Sequence, residues 1–187
     1  MYMNETLNTI ANRYSCRSYD GRLPEENQLE AIAKAAVQSP SAMNRQPWRI
    51  IVLTDKNLLD QMDAEGMKIL SEAEDKSAYE RFMQRGGKLF YNAPCMFIIF
   101  KKPGTDLDIG IVSENISLAA SSLGLGNVIC GMAAIPFNGE NGELFKQKAG
   151  FPDISEGWDF GMAVLVGYAV TPGTPHEPDM AKIRFID

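Results

Sequence analysis

Two arginines and a serine alternate near the start of the chain, at Arg13, Ser15 and Arg17. Successive side chains of an extended backbone point to opposite sides, so these three would project from the same side. Guanidinium groups and a hydroxyl together form a donor set that suits a phosphate or another anion. The spacing therefore predicts an anion site, with an ordinary solvated strand edge as the alternative.

A polar loop with two prolines follows the first motif and leads directly into an apolar, β-branched run. It covers residues 39–48 and reads SPSAMNRQPW. Proline restricts the conformations of such a loop, which can then present polar groups to a ligand at little entropic cost. The alternative is an ordinary turn between a helix and a strand.

Other common catalytic and nucleotide-binding patterns are missing from the sequence. Residues 124–126 read GLG but lack the third glycine of a dinucleotide fingerprint, and no Gly-Lys-Ser/Thr phosphate loop occurs. A single histidine, His176, argues against a Ser-His-Asp triad or a multi-histidine metal site. The three widely spaced cysteines, Cys16, Cys95 and Cys130, are expected to be reduced structural thiols.

Composition limits the class of protein. With 187 residues, of which 45% are hydrophobic, the chain fits one domain over residues 1–187. A net charge of −6 argues against a nucleic-acid partner, which would need a basic face. The sequence shows neither a signal peptide nor a membrane span, so we expect a cytoplasmic protein without a membrane partner.

The elements that must position these motifs follow from periodicity and turn residues. Helices are predicted at 25–38, 56–70, 77–89, 109–126 and 140–148, and strands at 48–54, 95–100, 127–130 and 160–166. The result is an α+β domain with about four strands and five or six helices. The helix over 109–126 has one charge, Glu114, and is expected to be buried on most sides.

The two polar motifs, in this order and spacing, resemble the nitroreductase family of FMN-dependent oxidoreductases. That family opens with a helix and an Arg-x-Ser-x-Arg-like segment, followed by a helix and a Pro-Ser-x-x-Asn-x-Gln-Pro-Trp loop, here residues 40–48. Residues 108–126 are similar to the central helix of the family, and residues 166–168 to its last core strand. The resemblance covers nearly the whole chain.

This resemblance implies a nitroreductase-like fold. The expected architecture is a central mixed or antiparallel sheet of about four to five strands flanked by helices, within an intertwined homodimer. Two FMN molecules would lie in clefts between the subunits. A helix as apolar as 109–126 agrees with this expectation, because it needs a partner for its second side.

The resemblance also implies which residues hold the cofactor. The expected FMN-binding residues are Arg13, Tyr14, Ser15, Arg17, Pro40, Ser41, Ala42, Asn44, Arg85, Lys88, Asp108, Cys130, Gly131, Met132, Lys182 and Arg184. Arg13 and Ser15 would bind the phosphate, while Arg17 and Lys88 would lie near the isoalloxazine ring and stabilise reduced flavin. An ordinary exposed helical lysine is the alternative for Lys88.

The remaining residues would complete the cleft. Residues 40–44 would approach the flavin from the other subunit, Asp108 and Arg85 would reach the ribityl chain or ring edge, and the backbone of 130–132 would face N5 and O4. The carboxyl-terminal stretch departs from the family pattern, because Lys182 and Arg184 come later than the usual basic pair. A solvated tail is the alternative there.

The implied chemistry needs no catalytic side chain, because the flavin performs the redox step. NAD(P)H would pass hydride to flavin N5, and an electron-poor acceptor such as a nitroaromatic or quinone would take its place in a ping-pong cycle. Two other functions stay open: an FMN storage or sensor protein without steady reductase turnover, and a cofactor-free α+β protein that associates through helix 109–123.

Four aromatic residues at helical spacing are expected in the core, with lining of the acceptor pocket as the alternative. They are Tyr79, Phe82, Phe90 and Tyr91.

Overall fold

The computed structural model describes residues 3–150 and 157–186. The α-helices of these residues are α1 (Glu5–Asn12), α2 (Glu26–Val37), α3 (Lys56–Glu72), α4 (Ser77–Met83), α5 (Asp106–Ser122), α6 (Ala134–Phe137) and α7 (Gly142–Lys148). The strands are β1 (Trp48–Leu53), β2 (Cys95–Lys101), β3 (Gly126–Ile129) and β4 (Asp159–Gly167). Short 3-10 turns occur at Ala42–Asn44, Gly131–Ala133 and Met180–Lys182.

The four strands form one antiparallel sheet in the order β1-β2-β4-β3. This confirms the predicted α+β class and resolves the choice between a mixed and an antiparallel sheet. β2 is buried along nearly its whole length, as expected for a central strand rich in apolar residues.

Side chains of β2 alternate between two hydrophobic cores, one on each face of the sheet. Met96 and Ile98 belong to a core that also contains residues of α3, α4, α6 and α7. Phe97 and Ile99 belong to a second core, formed with α2 and α5. Helices therefore cover both faces of the sheet.

Within the described ranges, no helix has both the length and the apolar character that a membrane span requires.

The prediction of one helix over residues 77–89 is wrong in its second half, because α4 ends at Met83. Gly86 and Gly87 have φ angles of 99° and 69°, a left-handed conformation that glycine adopts easily and that ends a helix. Lys88 therefore lies in a turn, and the alternative of an ordinary helical lysine is excluded.

The described part of the chain has seven α-helices, more than the predicted five or six. One reason is that the short α6 has too few residues to show a periodic pattern.

The long apolar helix α5 packs with one side on the sheet and meets α2 on another. Asn115 Nδ2 donates hydrogen bonds to Ala35 O at 3.2 Å and to Ser39 Oγ at 2.9 Å. Helix α2 of the same chain thus covers part of the second side of α5, for which the sequence predicted a partner. Leu118 and Ala119 remain half-buried, and Leu123 is exposed just after the helix.

Candidate functional site

The first motif lies in an extended segment, residues 13–20, that runs beside the sheet. Ser15 pairs with Asn127 of β3, and Cys16 N–H donates to Asn127 O at 2.8 Å. Cys16 is buried, whereas Ser15 and Arg17 are exposed and Arg13 is half-buried. The alternation predicted from the spacing is therefore present from Ser15 to Arg17, whereas Arg13 and Tyr14 are both half-buried.

Both guanidinium groups of this segment remain without a carboxylate partner. Among residues 3–150 and 157–186, neither Arg13 nor Arg17 forms an ion pair, and Arg17 Nη1 donates to Ser15 O at 3.3 Å. Since the protein has a net charge of −6, two unpaired arginines around one hydroxyl form a local basic site.

Two small features hold the segment against β3. A Cβ added to Gly126 would lie 2.8 Å from Cys16 Sγ, so the absence of a side chain permits the close approach. The buried amide of Asn127 accepts from Ser117 Oγ at 2.7 Å and donates to Ser121 Oγ at 2.9 Å, which fixes β3 on α5. The sequence reasoning missed Asn127, although an amide inside an apolar stretch was a visible signal.

The backbone just after β3 offers a donor. Cys130 N–H is used, because it donates to Ala163 O at 2.7 Å, but Gly131 N–H has no acceptor within the described residues. A Cβ added to Gly131 would meet only Met162 Sδ, at 3.9 Å. This exposed glycine therefore leaves room for a planar group to approach its backbone.

All three thiols are free and buried, as predicted. Burial raises the pKa of the Cys95 thiol to about 12 and that of the Cys130 thiol to about 11. Burial also raises the pKa of Cys16. A thiol is a poor nucleophile when protonated, so none of the three provides a reactive thiolate at neutral pH.

The turn that contains Lys88 contacts the basic segment. Asn92 Nδ2 donates to Tyr19 O at 3.4 Å, and Tyr19 N–H donates to Tyr91 O at the same distance. Lys88 Nζ lies 3.4 Å from Asp60 Oδ1. Burial is the main cause of the raised pKa of Cys130, and the positive charge of Arg17 is a small opposing effect. These contacts join the turn that follows Lys88 to Tyr19, two residues after Arg17, and Arg85 is exposed before the turn.

The proline loop is held in one conformation by two side chains. Asp108 Oδ1 accepts Ala42 N–H at 3.0 Å, and Ser41 Oγ accepts Gln46 N–H at 2.9 Å. Asn44 and Met43 both have a φ angle of 53°, which is unusual for residues other than glycine. Asp108 is buried and contacts the loop, so in this chain its carboxylate positions residues 40–44.

The proline loop and the basic segment lie at opposite ends of α5. Asp108 is in the first turn of the helix and contacts the loop, whereas Tyr14 and Ser122 line one cavity at its other end. The 14 residues from Asp108 to Ser122 correspond to a rise of about 20 Å. Within one chain, Ala42 of the loop and Tyr14 of the basic segment therefore lie near different ends of the helix.

The carboxyl-terminal basic residues lie in an exposed tail. Lys182 Nζ is 3.8 Å from Asp179 Oδ2, and Arg184 is exposed. Gly173 packs on the ring of Tyr14, where an added Cβ would lie 2.3 Å from Cδ2. No contact in the described part of the chain joins Lys182 or Arg184 to Arg13, so the structure does not assemble them into one site.

Aromatic residues near the Lys88 turn belong mostly to the core, as expected. Phe82, Phe90 and Tyr91 are buried, and Tyr79 is half-buried.

Asp63, which was not identified from the sequence, lies on the apolar stripe of α3 among Leu59, Met62, Gly66 and Leu70. An acidic residue on such a stripe is a signal of a buried, hydrogen-bonded carboxylate.

Comparison with known proteins gives consistent matches. The sequence model described as the nitroreductase family matches residues 10–168. A protein of Archaeoglobus fulgidus, whose name gives it as a candidate NADH dehydrogenase/NAD(P)H nitroreductase, is 32% identical over 138 residues. That alignment covers 70% of this chain and 69% of the relative.

Solved structures agree over the full length. A nitroreductase with bound FMN from Desulfitobacterium hafniense DCB-2 superposes with a TM-score of 0.94 and 47% identity, covering 100% of both chains. An FMN-dependent nitroreductase from Clostridium difficile R20291 superposes with a TM-score of 0.74 and 25% identity, covering 98% of this chain and 99% of the other.

Proposed function

The chain belongs to the nitroreductase family, and from that premise we propose that it is an FMN-dependent oxidoreductase that takes electrons from NAD(P)H. FMN is bound in the solved structure that is 47% identical over the whole chain. The named relatives include an NADPH nitroreductase of Helicobacter pylori, which aligns over 53 residues at 42% identity. These names support the cofactor and the electron donor.

One observation carries the proposal: Arg13 and Arg17 flank the Ser15 hydroxyl on an exposed edge, and neither guanidinium has a carboxylate partner in the described residues. The FMN phosphate has nearly two negative charges, and forked guanidinium groups bind such an anion by paired hydrogen bonds. The donor set therefore fits the phosphate end of the cofactor, with Arg13 and Ser15 as its ligands.

The ring end of FMN would meet Arg17, Lys88 and Gly131 N–H. When bound, FMN supplies the redox chemistry, accepting hydride from NAD(P)H and reducing a small electron-poor acceptor. The two cations would stabilise negative charge on the ring, and the Gly131 N–H would donate a hydrogen bond to its edge. The buried thiols stay protonated and have no role in this proposal. Donor and acceptor would occupy the same face of the flavin in turn.

A complete site requires two copies of the chain. Ala42 of the proline loop contacts the first turn of α5, and Tyr14 lines a cavity about 20 Å away at its other end, so we expect the loop of another copy to cover the flavin. We place the loop of a second copy, with Asn44 and Ser41, over the ring of the first. The half-buried Leu118 and Ala119 on α5 supply an apolar surface for this homodimer.

Absorbance and anaerobic reduction test the function. The purified protein is expected to bind added FMN and then to lose the flavin absorbance promptly when NADH or NADPH is mixed in without oxygen. Initial rates with a quinone or nitroaromatic should give the parallel double-reciprocal plots of a ping-pong cycle. A protein that binds FMN but stays oxidised would be a storage or sensor protein, and one that takes up no FMN would contradict the proposal.

A further inference from the structure

Asp63 is a carboxylate inside the core region that the chemistry described above does not use. It lies on α3 with 7% of its surface exposed, and its Oδ1 accepts Phe90 N–H at 2.6 Å. Burial raises the pKa of Asp63, and the Phe90 N–H and the positive charge of Lys88 act against that rise. A buried carboxylate that binds one backbone amide fixes the position of that amide.

One face of α3 holds three successive residues of the turn. Asp60 Oδ1 is 3.4 Å from Lys88 Nζ, and Asp63 accepts the N–H of Phe90. Between them, Leu89 packs so closely on Gly66 that a Cβ added there would lie 2.4 Å from Leu89 Cδ2. Positions 60, 63 and 66 share one side of a helix, so α3 acts as a single support for residues 88–90.

The far side of the turn is held by backbone hydrogen bonds from Ala93 N–H to Phe90 O at 2.8 Å and from Tyr19 N–H to Tyr91 O at 3.4 Å, so Asp63 is the contact on its near side. The turn begins after the left-handed Gly87 and continues into Tyr91 and Asn92, which have φ angles of 52° and 63°. A left-handed conformation is unfavourable for residues other than glycine and persists when neighbouring contacts impose it. The bond from Phe90 N–H to Asp63 is the polar contact that directly precedes these two residues.

We propose that Asp63 is a positioning residue, which fixes the backbone of residues 88–90 and thereby sets the Lys88 ammonium at the edge of the FMN ring. The inference rests on the proposed function. Without this anchor, the backbone of residues 88–90 moves, and the Lys88 ammonium, which lies 3.4 Å from Asp60 Oδ1, leaves the edge of the ring, so its charge no longer favours electrons there. Phosphate binding by Arg13 and Ser15 is unaffected, so affinity for oxidised FMN changes little.

The test is a comparison of reduction potentials in the flavin-loaded protein. Lys88→Ala and Asp63→Ala should each lower the ratio of affinities for reduced and oxidised FMN by about tenfold, the effect of one nearby charge. The double variant should shift the ratio no further than Lys88→Ala alone, because Asp63 acts through Lys88. Asp63→Asn should keep the native ratio, since its amide oxygen accepts the same N–H.

Glu65→Gln, which removes a charge elsewhere on α3, serves as the matched control and should leave the ratio unchanged. In the FMN-free protein, exchange of the Phe90 amide hydrogen should accelerate in Asp63→Ala but not in Asp63→Asn. If Asp63→Ala does not fold, Gly66→Ala displaces Leu89 from the same face and should lower the ratio in its place.

The outcomes separate this inference from the function on which it rests. A native potential in Asp63→Ala, or a double variant with additive shifts, would overturn the positioning role while FMN binding stands. A potential that is unchanged in Lys88→Ala would also overturn it, because Lys88 would then lie away from the ring. A wild-type protein that binds no FMN would remove the proposed function and this inference together.

Discussion

Arg13 and Arg17 keep their charge available to a ligand because no carboxylate in residues 3–150 or 157–186 pairs with either guanidinium. Five lysines of the same residues form ion pairs: Lys56, Lys88, Lys101, Lys146 and Lys182. Arg17 uses one donor in its hydrogen bond to Ser15 O, and the guanidinium group has four further N–H donors that could bind an anion. The proposed phosphate site therefore uses two arginines that form no ion pair within the described residues.

Arg13→Ala is expected to weaken FMN binding by roughly ten- to a hundredfold, the equivalent of about 1.5–3 kcal/mol for hydrogen bonds to a charged group. Quenching of flavin fluorescence on titration into the FMN-free protein measures the dissociation constant. Arg81→Ala, a change of the same type at an exposed position of α4, is the control and should leave affinity unchanged. Native affinity in Arg13→Ala would remove this residue from the site.

At the scale of elements, the basic segment depends on how closely it can approach β3. Cys16 N–H bonds to Asn127 O, and the contact between Cys16 Sγ and Gly126 leaves no room for a methyl group. Protein interiors are packed densely enough that one added carbon must displace a neighbour. The position of Arg13 and Ser15 is therefore coupled to a glycine more than a hundred residues away in the sequence.

Gly126→Ala is expected to lower the free energy of unfolding by about 1–3 kcal/mol and to weaken FMN binding as the segment moves outward. Denaturant unfolding and flavin titration measure the two effects. Adding Cys16→Ala removes the closest atom, Sγ, and should restore part of both, while Cys16→Ala alone serves as the control. A Gly126→Ala protein with native flavin affinity would show that the segment does not depend on this contact.

The sequence predicts those elements that local patterns of polar and apolar residues determine. Alternation of Ser15, Cys16 and Arg17 gave the correct exposure of each side chain, and the four strands follow from apolar runs. The Lys88 turn was predicted incorrectly because the helical spacing over 77–89 continues past the two glycines that end α4. The Asp63 contact with Phe90 spans 27 residues, and no local pattern indicates such a pairing.

At the scale of the whole molecule, the proline loop and the basic segment, which form the two halves of the proposed site, lie apart within one chain. Asp108 fixes the proline loop at the start of α5, and the basic segment lies beyond the end of that helix. Helix α5 therefore acts as a spacer, and a second copy arranged about a two-fold axis would bring each loop to the other's basic segment. A two-fold axis creates two equivalent sites, each with residues from both chains.

Subunit complementation tests this arrangement. Arg13→Ala removes a proposed phosphate ligand. Asn44→Asp places a negative charge in the loop, and aspartate can adopt the left-handed backbone that Asn44 has. Each homodimeric variant should bind FMN at least about tenfold more weakly than wild type. When the two variants are co-expressed with different affinity tags, the purified heterodimer should regain native affinity at one of its two sites, because one site then contains both intact halves.

The control pairs the Arg13→Ala subunit with a subunit that has both changes, and this heterodimer has no intact site in either arrangement. Isothermal titration of FMN gives the number of native-affinity sites in each preparation. If each site lay within one chain, the Arg13→Ala and Asn44→Asp heterodimer would recover nothing, since every subunit would hold one damaged site. Failure of the two tagged chains to co-purify would contradict the homodimer itself, because the loop could then reach no flavin.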